Sequence, residues 1–182
     1  MLYLVIGLLL WSGAHLFKRL LPAQRARMGQ AGRGVSALLI IASLWLMVEG
    51  YGTLAKVPLW GRHAVLDSIN LILVVVAVYL MVASVLKPAI TTRIRHPQLT
   101  ALKSWALGHL LVNGDVPSIV LFGGLMAWGV VSVILINKQS GKPPLSAPGG
   151  SAREVGTVVI TGALFYAMTW LHAAAGYPVV SW

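Results

Sequence analysis

The sequence contains no cysteine. That absence excludes disulfides, thiolate metal sites, iron–sulfur clusters and covalently attached c-type haem. Any bound metal must use the five histidines, or a few carboxylates and carbonyls. Charge is scarce as well. Only 10% of the 182 residues are charged, and only four are acidic. An ordinary globular domain is about 25% charged and about 45–50% apolar, whereas 58% of this chain is hydrophobic. Too few polar side chains remain to cover a water-facing surface. A soluble enzyme, a disordered tail and a nucleic-acid-binding domain are excluded, and no nucleic-acid partner is expected. The shortage of acids leaves a net charge of +10. The excess of Lys and Arg in cytoplasmic loops of membrane proteins accounts for that sign. The expected partner is the lipid bilayer.

Stretches free of charge mark the membrane segments. A helix needs about 20 residues, range roughly 17–25, to cross about 30 Å of hydrocarbon. The segments are Met1–Phe17, Gly34–Val48 (running on to about Leu54), Ser68–Leu86, the short Ser104–Gly114, Val116–Asn137 and Val155–Trp182. The fourth joins the fifth through Asn113-Gly114-Asp115-Val116-Pro117, a run dense in turn residues. Pro117 suits the first turn of a helix. The fold expected is an all-α integral membrane bundle of about six transmembrane helices. It reads as one domain over 1–182, with a core at 1–137, a Pro/Gly/Ser-rich cytoplasmic linker at 138–154 and a last helix at 155–182. Asp67 and Ser68 suit an N-cap for the third helix. Gly50 and Gly52 read as punctuation at the end of the second.

The basic residues orient this bundle. Lys18–Arg33 carries five, Lys87–Lys103 four and Lys138–Arg153 three, while the loop at about Ala55–Leu66 carries only Lys56 and Arg62. This alternation is the positive-inside pattern for six crossings and places both termini on the periplasmic side of a bacterial inner membrane. The basic residues follow the first apolar run rather than precede it, so it reads as an uncleaved first helix and not as a signal peptide.

Ionisable groups in a bilayer are costly and therefore informative. His15 lies three residues before Lys18, and His109 six residues after Lys103. At about 1.5 Å per residue, both fall within roughly 5–10 Å of the cytoplasmic boundary. Two helices offering histidines at comparable depth is what the axial ligands of one haem require. The other reading is a pair of unrelated packing histidines. Ser12, Gly13 and Ala14 would let a ring, or another helix, approach beside His15. Trp105, His109 and Asn113 share one helix face, and a buried Asn113 needs a partner. Arg19 and Arg95, with Lys18, Arg93 and Lys103, form a basic cluster toward which haem propionates could point. The helix of His109 reads as short and is interrupted by Gly108, which makes His109 the more labile ligand. His63 reads as solvated. His172 reads as too far in depth to join the other two, and His96 sits before Pro97 in a loop.

The block Arg95–Gly124 resembles the NnrU family of bacterial membrane proteins. It carries Arg95-His96-Pro97, then Trp105, Leu107, His109, Leu110, Asn113, Gly114 and Asp115, then Leu121-Phe122-Gly123. Gly13-Ala14-His15-Leu16 and Gly50-Tyr51 match the family's earlier motifs. The resemblance runs over about Met1–Asn137. It is associated with nitrite and nitric oxide metabolism.

The family is similar in turn to the 15-cis-zeta-carotene isomerases, integral membrane enzymes with haem b held by two histidines. That resemblance implies haem b on His15 and His109 as metal ligands. Arg95, Arg19, Trp105 and Asn113, from the basic cluster and the shared helix face, are the further cofactor-binding residues expected. The isomerases have a Cys three residues before the second histidine, and this chain has Ala106 there. A thiolate-for-histidine exchange is therefore impossible here. The RHP triplet is also shared with membrane methyltransferases, whose pattern continues with a Tyr. Gln98-Leu99-Thr100 follows here, which argues against methyl transfer.

The expectation is a multi-pass inner-membrane protein with haem b and redox-linked chemistry on an apolar or small nitrogen-oxide substrate, or with a redox partner. Oxidoreductase and isomerase remain open. The alternative is a non-catalytic accessory or transport protein without haem.

Overall fold

The computed structural model describes residues 1–147, 149–177 and 179. Helices dominate: α1 (Leu2–Leu20), α2 (Pro22–Arg27), α3 (Ala31–Gly52), α4 (Ala64–Leu86), α5 (Pro97–Val112), α6 (Val116–Ser118), α7 (Gly124–Ser140) and α8 (Ser151–Ala174). A π-helical turn, Ile119–Gly123, joins α6 to α7, so Val116–Ser140 is one continuous helix. A small antiparallel pair, β1 (Pro58–Trp60) and β2 (Gly114–Asp115), ties the loop before α4 to the turn after α5.

Four helices are long and apolar enough to cross a membrane: Ala31–Gly52, Ala64–Leu86, Val116–Ser140 and Ser151–Ala174. The last of the sequence-expected segments begins earlier than 155, at Ser151, and ends at Ala174; residues 178 and 180–182 lie outside the described residues. The linker contracts to the residues between Ser140 and Ser151, with 148 also outside the described set. The fourth segment is longer than its uncharged stretch. Proline at the first position starts α5 at Pro97, because its missing N–H is not needed there. Lys103 therefore lies inside the helix, two turns from its start.

Side-chain bonds fix the helix directions. Arg19 donates to Ser140, and Gln139 to the Arg19 carbonyl, so the C-terminal ends of α1 and α7 meet. His96, at the start of α5, bonds Asn137 near the end of α7. Hence α1 and α7 run parallel, and α5 runs against both. The interhelix contacts give the order α3, α1, α7, α5, α4, α8. One end of the bundle gathers Lys18, Arg19, the α2 arginines, Arg95 and Lys138. At the opposite end, the Lys56 ammonium stands 3.9 Å from the Tyr51 ring and 5.5 Å from Tyr177.

Helix pairs are held by close approach. Gly50 lies inside α3 rather than ending it. A Cβ there would stand 2.5 Å from the Leu4 backbone nitrogen, so its role is contact with α1. Gly13, by contrast, faces open space; no helix packs on it. Gly108 lies against the Asn70 side chain of α4, and Ser104 donates to the Leu73 carbonyl. The helix of His109 is short, as expected, at 16 residues, but these contacts tie it to α4. Asp67 does not cap α4. The cap residue is His63, and Asp67 sits in the first turn, paired with Arg62 at 2.9 Å.

The core is thin. Leu4, Met47 and Leu125 form one buried cluster, and Ala77, Leu80 and Ala101 another. Large apolar side chains are exposed along the outside, among them Ile41, Trp45, Val85, Val158 and Trp170. In water a surface patch of this extent would aggregate; facing lipid it needs no cover.

Candidate functional site

His15 stands five residues before the end of α1. Its Nδ1 bonds the Trp11 carbonyl one turn back, at 2.9 Å. That bond fixes the ring and leaves Nε2 free, the arrangement by which a backbone carbonyl orients a metal-binding histidine. The ring packs on Trp11 at 4.1 Å and edge-on to Trp128 of α7 at 5.0 Å between centroids. Trp11 and Trp128 also meet each other, at 5.5 Å.

His109 on α5 also packs on a tryptophan one turn back. Its ring stands edge-on to Trp105, one turn back, at 5.0 Å, and against Phe122 at 4.7 Å. Trp105 and Phe122 are themselves 5.1 Å apart. Phe122 belongs to the π-helical turn. Such turns insert a residue, re-aim side chains and concentrate at functional sites.

Both imidazoles therefore rest on one helix, Val116–Ser140, approached from either side by α1 and α5. Among the described residues, α1 and α5 scarcely touch each other. The two rings are not at the equal depth expected from the charges. His109 is 12 residues from the start of α5, about 18 Å along its axis. His15 is about 8 Å from the corresponding end of α1. The aromatic residues they touch, Trp128 and Phe122, are six residues apart, about 9 Å. Helical side chains lean toward their own N-terminus. Because α1 and α5 are antiparallel, the two rings lean toward each other, which reduces the offset.

The donor set suits haem iron, since neutral imidazoles are its common protein ligands. The surroundings carry a further sign. The indole N–H groups of Trp11 and Trp128 are buried without a partner, although buried indoles normally find one. Both flank His15. Such unpaired donors beside an oriented imidazole are polar atoms that an acceptor on a bound group would satisfy.

The other expected site residues are placed less centrally. Trp105 touches His109 directly. Asn113 donates to the His109 carbonyl at 2.9 Å, closing the end of α5 rather than reaching a cofactor. Arg19 is one turn beyond His15 and clasps Ser140 at 2.9 Å. Arg95 lies before the start of α5, beside a cavity of about 240 Å³ shared with Lys87 and His96, and is not brought to the rings. His172 stands near the end of α8 away from the basic cluster, and its Nδ1 bonds the Met168 carbonyl at 2.8 Å. It lies 21 residues from the start of α8, about 31 Å along the axis, deeper than either His15 or His109.

The spacing seen in Trp105 and His109 recurs at Trp11 and His15. Both histidines follow a tryptophan by four residues, Trp11-Ser-Gly-Ala-His15 and Trp105-Ala-Leu-Gly-His109. On a helix that spacing stacks indole on imidazole. Phe122 and Trp128 carried no such signal, because only the fold brings them opposite the histidines.

Beside this aromatic row lies a buried polar relay. The Tyr51 hydroxyl is 2.9 Å from Ser118 Oγ, and Ser118 donates its N–H and hydroxyl to Asp115 at 2.8 and 2.9 Å. Asp115 is the N-cap of α6 and is buried. Asp115→Ala removes the cap and strands two buried donors, a cost of about 2 kcal/mol or more. Thermal unfolding in detergent should register it as a clear fall in Tm, and an unchanged Tm would show the relay to be dispensable.

No curated protein and no solved structure matches the chain significantly. The sequence model described as NnrU protein matches residues 3–179. That span takes in both histidines, the turn at Asp115 and all the long helices. The chain belongs to the NnrU family.

Proposed function

We propose that this protein is a six-span inner-membrane protein, with both termini on the periplasmic side, that holds one haem b between His15 and His109. The observation that carries the reading is the placement of both imidazoles against aromatic side chains of one helix, His15 on Trp128 and His109 on Phe122. The unpaired indole N–H groups beside His15 support it. The iron, when bound, supplies one-electron redox chemistry suited to electron transfer or to small nitrogen oxides. The chain's own residues do the rest. The Trp11 carbonyl orients His15, Trp105 and Phe122 hold His109, and the apolar helices around them keep water away. The chain has no cysteine and Ala106 stands at the isomerases' Cys position, so no thiolate can take the place of either imidazole. Isomerisation of an apolar polyene is the other chemistry such a site supports.

The six-span reading rests on six long helices that alternate in direction, α1, α3, α4, α5, α6–α7 and α8, with basic residues gathered at one end. Reporter fusions after Gly29, Arg93 and Ser146 should report cytoplasm. Fusions after Leu59 and Tyr177 should report periplasm. A cytoplasmic signal after Tyr177 would mean that α5 does not cross.

A further inference from the structure

The bend between α1 and α3 is a cavity of about 480 Å³ whose lining includes Lys18, Arg25 and Arg33 and no acidic residue. The chain has no acid before Glu49, and among the described residues the ion pair formed is Arg62–Asp67, in the loop before α4. The three cations are therefore uncompensated. Like charges held this close repel, so the arrangement favours any anion that enters.

One of the three is fixed in place. Arg25 Nη1 donates to the Gly29 carbonyl at 3.0 Å. Its guanidinium lies on Gly32, where a Cβ would come within 2.6 Å of it. Held at one edge, the fork presents its remaining N–H donors to the cavity, and a fixed guanidinium loses little entropy on binding phosphate oxygens. The ammonium of Lys18 and the guanidinium of Arg33 supply charge from the neighbouring helices. Leu20 and Leu21, at the rim between α1 and α2, are 57% and 46% exposed. Arg27 is on the same short helix as Arg25 but does not line the cavity.

We propose that this cavity binds a phosphate-bearing anion, through Arg25, Arg33 and Lys18. The chemistry suits a phospholipid headgroup, with the two leucines against its acyl chains, or a free phosphate. The proposal is independent of the haem reading.

The test uses the full purified chain in neutral detergent. Phosphatidylglycerol and inorganic phosphate are titrated separately, with phosphatidylcholine as the zwitterionic control and native mass spectrometry counting bound lipid. One phosphatidylglycerol per chain, or one phosphate, should bind saturably. Arg25→Ala and Arg33→Ala should each weaken that binding about 10- to 100-fold, the loss of a charge-assisted hydrogen-bonding partner. Arg25→Lys should restore part of it, since the charge remains but the fork is lost. Arg27→Ala should change it little. Lipid binding that survives excess inorganic phosphate identifies the headgroup as the source; phosphate binding with the same Arg25 dependence, and no lipid adduct, identifies the free anion. If Arg27→Ala weakens binding as much as Arg25→Ala, the effect is only the general positive charge of this end, and the proposal fails. Failure of both ligands to bind the folded wild type also overturns it.

Discussion

Purified protein is expected to show a low-spin b-type spectrum with sharp bands on reduction, and His109→Ala to abolish it. Removing one of two axial ligands leaves the iron five-coordinate and high-spin, or leaves the protein without haem. His15→Ala should behave like His109→Ala, and His172→Ala should leave the spectrum unchanged. His63→Ala should be silent as well, since His63 caps the start of α4 in an exposed loop. A low-spin spectrum that persists in the double variant His15→Ala/His109→Ala would remove the proposed pair. A folded wild type that never binds haem would leave the histidines as packing residues of an accessory protein.

The second large effect is on stability. Gly50→Leu should collapse the pairing of α1 with α3. The nearest atoms to the missing Cβ are the backbone N and Cα of Leu4, at 2.5 and 2.9 Å. Backbone cannot rotate away as a side-chain tip can, so the helices must separate. Overpacking a well-packed contact costs about 1–3 kcal/mol, and here a clash with backbone puts the expectation at the upper end or beyond. For a chain of this size about 1 kcal/mol corresponds to roughly 2–4 °C in Tm. A fall of about 6–12 °C follows, readable by thermal denaturation in detergent. Gly13→Ala is the matched control. It faces open space in the middle of α1, and alanine there should raise stability by up to about 1 kcal/mol. Equal behaviour of the two variants would show that the α1–α3 contact at Gly50 is not tight.

Much of the helix content was legible because charge and apolarity are one-dimensional quantities. The uncharged stretches overlap the four long apolar helices, and the turn at Asn113–Pro117 is where the chain turns, with Asp115 capping as turn chemistry requires. The limits were less legible where a charge lay inside a helix. Lys103 was read as a boundary, yet α5 begins at Pro97, because a long lysine can extend along a helix surface while proline dictates the start. That single boundary shifted the estimated depth of His109. Gly50 and Gly108 show the same limit. A glycine that ends a helix and one that admits a neighbouring helix look alike in sequence, and only the partner backbone separates them.

Composition and local spacing settle the class of the molecule: too little charge for a water-facing surface, no thiol chemistry, basic loops in alternation and a family pattern around His15 and His109. These follow from composition and local spacing, which do not depend on which helices meet. The tertiary structure alone decided that Trp128 and Phe122 receive the two imidazoles, that Asn113 caps its own helix, and that Arg25 is fixed beside two other cations while Arg27 is not. Such facts depend on contacts between residues far apart in the chain, and helix periodicity fixes the face a residue occupies without fixing what stands opposite it.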